Sequence, residues 1–168
     1  MKKFLVSLVF CLFCGSVMFA QNREPSMATR PFTVKTKQSV ADLERNLRGE
    51  NKVEDLIGGE GMQLRVAFQH DEKKDTALAE LHDASDDVYY VLEGSAQLTL
   101  GGKLDNPKEQ SPGEWRSDKI IGGTTFTIKK GDLIIVPRGT PHHRINSKGK
   151  TFSLILIKIF KDPLPPKK

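Results

Sequence analysis

A chain of 168 residues can form one domain with a proper core and is too short for two. Its two cysteines, Cys11 and Cys14, both lie in an apolar N-terminal run, so removal of that run leaves no thiol for a disulfide or for catalysis, and any metal must be held by nitrogen and oxygen. Loss of Lys2 and Lys3 with the same run leaves 24 basic against 21 acidic residues, and with no interleaving of basic and aromatic side chains a nucleic-acid partner is not expected.

Met1, Lys2 and Lys3 make a positive start, residues 4–20 are almost unbroken apolar, and Ala20 is small. That is the layout of a signal peptide over residues 1–20, which predicts a secreted or periplasmic mature chain with no stable membrane insertion after cleavage. An uncleaved anchor is the alternative, since the run sits at the lower edge of a bilayer-spanning length. Residues 21–37 are polar, carry Pro25 and Pro31, and read as a flexible lead-in. Ser39 resembles an N-cap, and Val40, Leu43 and Leu47 recur at helical spacing before Gly49. A short helix over roughly residues 40–48 is expected, lying across the outside of the main domain within a connection that runs from 38 to 61.

From Met62 the pattern changes to short strands separated by Gly and Pro: residues 62–69, 77–82, 87–100, 126–129, 133–136 and 152–160. Gly94 predicts a hairpin or bulge inside the long third run. Lys158 stands alone in an apolar strand. This punctuation points to an antiparallel sandwich or barrel over residues 62–160, followed by a mobile tail at 161–168. Residues 101–123 show little periodicity and read as a long loop carrying Trp115, either a lid over a ligand or a surface excursion pinned by its indole.

Two segments carry the chemistry. In the first, Glu80 and His82 share one face of an extended strand, and Asp87 opens the next strand after a polar turn at residues 83–86. In the second, Gly131 to Val136 leads into a turn fixed by Pro137 and Gly139, and His142 starts the following strand. If the two segments pack across a barrel, two imidazoles and two carboxylates converge, a sufficient set for a transition metal. His143 should point to the opposite face, His70 sits in a charged turn and should be solvated, and Asp86 competes with Asp87 as the carboxylate. Tyr89 shares parity with Asp87 and faces either the cavity or the core. Arg144 either meets an anionic substrate or bridges to Glu93 or another acid at the rim.

At these residues the chain resembles the cupin superfamily. Gly131, Pro137, Gly139, His142 and Asn146 match its second motif at every fixed position. His82, Asp87 and Gly94 match the first in part, with Glu80 in place of a histidine and Asp87 in place of a glutamate. The resemblance covers roughly residues 62–160 and implies an all-β double-stranded β-helix, or jelly-roll barrel, with a short N-terminal helix. It further implies a divalent metal in the barrel mouth, held by Glu80, His82, Asp87 and His142. Oxygen-rich ligation suits Mn, Fe or Zn, and two ionised carboxylates would bring the site to about neutral. If Glu80 does not ligate, it stands beside the metal as a general base. The expected function is an exported metal-dependent enzyme acting on a small polar molecule by isomerase, lyase or dioxygenase chemistry. The alternatives are a metal-free barrel that only binds a small ligand, and an interaction scaffold. A homodimer is also compatible with the resemblance.

Overall fold

The computed structural model describes residues 24–74 and 76–166; the signal peptide expected at 1–20, with both cysteines, lies outside the described residues. The chain divides into two units at residue 34, and residues 24–34 of the first carry neither helix nor strand. Among the described residues all regular structure belongs to the second. Among the described residues no helix is long and apolar enough to cross a membrane.

Helix α1 spans Lys37–Leu47, three residues earlier than its periodicity predicts. Thr36, not Ser39, is the N-cap: the Thr36 hydroxyl accepts from the Ser39 amide at 3.1 Å, and the Ser39 hydroxyl accepts from the Thr36 amide at 3.0 Å. This reciprocal pair satisfies two amides that helix geometry leaves open. Ser39 therefore serves as the third helical residue of the box. Leu47 is the only fully buried residue of the helix, and the Gly49 amide just beyond it donates to Glu72.

The strands are β1 (Lys52–Ile57), β2 (Leu64–Asp71), β3 (Ala79–His82), β4 (Ser85–Leu100), β5 (Lys103–Leu104), β6 (Lys108–Ser111), β7 (Glu114–Ser117), β8 (Ile120–Ile121), β9 (Thr124–Lys129), β10 (Leu133–Val136), β11 (His142–Asn146) and β12 (Phe152–Phe160). All pairings are antiparallel, in the order β1-β2-β12-β4-β11-β3-β7-β6, with β9 and β10 added on β4 and a small separate pair β5-β8. The expected antiparallel β architecture is the one observed. Strand β1 falls in the stretch read as a connection. It lies at the end of the sheet with little burial, so no alternating pattern marks it.

Two further expectations are corrected. Residues 101–123 are not a loop: they fold into β5 to β8, and β7 pairs along the whole of β3. The tail is not free along its length either, because Leu164 exchanges backbone hydrogen bonds of 2.9 Å with Gly61 and Met62.

Strand β4 joins the two walls. Its first half pairs with β12 and β10, its second half with β11 and β9, and Gly94 sits at the change-over. Gly94 makes no hairpin, since the strand runs on through it; the irregularity expected there is a bulge just before it, where Leu92 is skipped in the register with β12. The Gly94 φ of +81° belongs to the left-handed region, and a Cβ there would lie 2.1 Å from the Thr151 carbonyl oxygen. Between the walls lies one apolar core, with Ala67, Val91, Leu98, Phe152 and Leu154 essentially inaccessible to solvent. Alternation along β4 and the apolar run of β12 supply most of it.

Candidate metal centre

Glu80 and His142 are register partners where β3 meets β11, and His82 follows two residues along the same face of β3. Strand register alone thus places three donors together. One ligand atom from each of Glu80, His82 and His142 lies within 4.8 Å of the others. Glu80 Oε2 is 3.6 Å from His82 Nε2 and 3.9 Å from His142 Nε2, and the two imidazole centroids are 5.0 Å apart. Asp87 enters from the other wall, on the first half of β4, with Oδ2 3.5 Å from His82 Nε2.

Both imidazoles are buried, and both are oriented through Nδ1. His82 Nδ1–H donates to Glu114 Oε2 at 2.6 Å, and His142 Nδ1–H donates to the Thr140 carbonyl at 3.0 Å. Carboxylates and carbonyls can only accept, so Nε2 of each ring is left to face the centre. Neither Nε2 has a hydrogen-bond partner among the described residues, although each is fully shielded from solvent. Buried polar atoms are rarely left unpaired. Two such nitrogens aimed at one carboxylate, each fixed by a partner behind the ring, form a donor set that fits a transition metal.

The charges are arranged with equal care. Burial drives His82 down, but Asp87 and Glu114 outweigh it and raise its pKa to about 8. Burial, reinforced by the neighbouring His82 charge, holds His142 below its usual value despite the Thr140 carbonyl, which keeps this ring neutral. Burial would raise Asp87, yet His82 and Lys158 lower it on balance. Lys158 Nζ donates to Asp87 Oδ1 at 2.7 Å, and Tyr89 donates to Oδ2 at 3.1 Å. Burial, with the Asp87 charge adding to it, pushes the Tyr89 hydroxyl well above its ordinary pKa, so it stays a donor. The expected charge balance changes as a result. Lys158 neutralises Asp87, so a divalent ion with Glu80 would leave the site net positive rather than neutral.

The structure brings Glu80, His82 and His142 into one cluster, with Asp87 beside them and engaged by Lys158 and Tyr89. Asp86 is removed from the competition: both its oxygens grip Arg138, which holds the 137–139 turn, and the guanidinium lowers the Asp86 pKa to about 2. His143 points outward and donates to the Ala77 carbonyl. His70 is not solvated; it is buried, with Nδ1 2.8 Å from Ser153 Oγ across to β12. Arg144 pairs with Asp71 at 2.6 Å rather than with Glu93, and its guanidinium lies 4.8 Å from the Phe152 ring centroid. Glu93 is taken by Lys130. Trp115 is pinned, its indole N–H donating to Asp83 at 2.7 Å on the turn that follows β3.

Sequence reasoning missed Glu114 and Lys158 as parts of the site. A lone cation in the apolar run of β12 was the available signal for Lys158. Glu114 had none, because its stretch reads as irregular and its pairing with β3 is non-local.

No family model matches the sequence, and no curated protein matches it. Solved structures do. A Bacillus halodurans protein is similar at 19% identity over 83% of this chain and 88% of its own, with a TM-score of 0.56. An uncharacterised Klebsiella pneumoniae protein with a double-stranded β-helix domain is similar at 18% identity over 88% of this chain and 99% of its own, TM-score 0.51. The cupin domain of Cnp3 from Schizosaccharomyces pombe is similar at 16% identity over 66% of this chain and 64% of its own, TM-score 0.49. At such identities the likeness concerns architecture alone, and with the strand order described above it establishes that this chain has a double-stranded β-helix fold.

Proposed function

We propose that the chain is an exported metal-dependent cupin enzyme acting on a small polar molecule, with a divalent ion held by Glu80, His82 and His142. The observation that carries this reading is the pair of buried, unpartnered Nε2 atoms facing one carboxylate. Nitrogen and oxygen donors in this ratio suit Mn, Fe or Zn. A bound ion of this kind supplies Lewis acidity toward a carbonyl or enolate oxygen. The chain's own groups do the rest. Glu114 and the Thr140 carbonyl hold the two rings by Nδ1 so that Nε2 faces the cluster, where the Nε2 proton that His82, with a pKa of about 8, carries at neutral pH would be displaced by an ion. Lys158 keeps Asp87 ionised beside the cluster, where its carboxylate can take a proton from a molecule in the cavity. If Glu80 is not a ligand, it is the free base instead and Asp87 joins the donors. Proton transfer next to a polarised oxygen is the step that isomerase and lyase chemistry share, while dioxygenase chemistry would also need molecular oxygen as co-substrate. The charged, apolar and small-residue layout of residues 1–20 supports export.

Metal analysis of residues 21–168 tests the reading. The expected result is one chelator-removable ion per chain, lost in both His82→Ala and His142→Ala. A folded protein that takes up no ion from Mn, Fe or Zn, or that holds it equally well in both variants, would overturn it.

A further inference from the structure

A cavity of about 260 Å³ opens beside Glu80 and His142, and cations line it: Lys74, Arg144 and Lys158. Arg144 is balanced by Asp71 and Lys158 by Asp87, while Lys74 makes no ion pair with the described residues. Glu80 offsets that remaining charge, and Glu114 offsets the Arg116 guanidinium that lies 3.7 Å from Glu80 and 3.5 Å from Glu114, so with His82 neutral and no ion the surroundings are close to neutral. A divalent ion on the Glu80 cluster shifts the total to about two positive charges in a confined space, by simple addition. Uncompensated charge removed from water is costly and favours a counter-charge brought by the ligand. Burial, with Arg144 nearby, holds the Lys74 ammonium below its ordinary pKa, which is consistent with a cation placed there to meet an anion. Leu78, Tyr89 and Leu156 also line the space, giving a carbon skeleton a surface to rest on, which a hydrated inorganic anion would not use.

We infer that the cavity takes a small organic carboxylate, anchored through Lys74 and presented to the Glu80–His82–His142 cluster. This inference rests on the metal-centre reading and adds the class of substrate to it.

The test uses residues 21–168 loaded with Mn, with metal content measured first, and titration calorimetry against three probes: succinate, its uncharged diamide succinamide, and inorganic phosphate. Succinate should bind, succinamide should not, and phosphate should bind more weakly than succinate. Lys74→Gln should weaken succinate by about tenfold or more, as loss of one charge-assisted contact implies, with metal content unchanged, and Lys74→Arg should restore much of the affinity. Full metal content without succinate binding, equal binding of succinamide, tighter binding of phosphate, or Lys74→Gln and Lys74→Arg behaving alike would overturn the carboxylate inference and leave the metal centre standing. Failure to take up metal would overturn the metal-centre reading, and the excess positive charge on which this inference depends would go with it.

Discussion

Lys158 and Asp87 are both largely buried and 2.7 Å apart, and Lys158 joins His82 in holding the Asp87 carboxylate ionised. Lys158→Met therefore strands a carboxylate in the barrel and should destabilise the fold by about 3 kcal/mol or more, measured by urea unfolding at neutral pH. Asp87→Asn combined with Lys158→Met should recover much of that loss. The sign with pH follows from the direction of the Asp87 shift. Its folded pKa lies below the ordinary 3.8, so the pair's contribution is fully present above that value and disappears as pH falls through the folded one. The difference between wild type and Lys158→Met should narrow in the same acidic range. This pair was only half visible in the sequence: Asp87 fell in a recognisable motif, whereas Lys158 lies some seventy residues away and meets it only because β12 pairs with β4 in that register.

At the scale of elements, β7 shows how a stretch without periodicity can matter. It adds to the open edge of β3 and delivers Glu114 to the back of the His82 ring. Partners behind a metal-binding histidine fix its ring and tautomer, and losing one commonly costs about 10–100-fold in metal affinity. Glu114→Gln should lower metal affinity by that order, read by competition with a chromogenic chelator, while the thermal midpoint of the metal-free protein moves little. An unchanged metal affinity would make Glu114 a bystander. Strands β2, β3, β4, β9, β10 and β12 were legible because apolar runs or alternation mark them, and β11 because the turn at Pro137 and Gly139 leads into a strand start at His142. Strands β5 to β8 were not, because they are short, polar and paired at a distance. The helix was legible in kind but displaced at its start, since Thr36 and Ser39 are both competent caps and only the backbone decides between them.

The whole molecule depends on one strand serving both walls. At Gly94 the chain passes from one set of partners to the other with a positive φ and with the Thr151 carbonyl against its Cα. Gly94→Ala combines left-handed strain with a backbone collision and should cost about 2–4 kcal/mol, seen as a lower denaturant midpoint at unchanged slope. An alanine variant as stable as wild type would mean that the corner relaxes freely. The architecture as a whole was readable from a few fixed residues, Gly131, Pro137, Gly139 and His142 among them. These set a tight turn and a strand start that few folds require together. What they could not convey was how the charges balance, because that depends on which residues from distant strands face one another.

Glu80 and His142 oppose each other directly across β3 and β11. Side chains alternate along a strand, so sliding that edge by a single position turns one donor to the outside and separates the pair. If the cluster holds an ion as proposed, capture would double as proofreading: only a chain zipped in the correct phase could hold the ion, and the ion would in turn lock that phase in place.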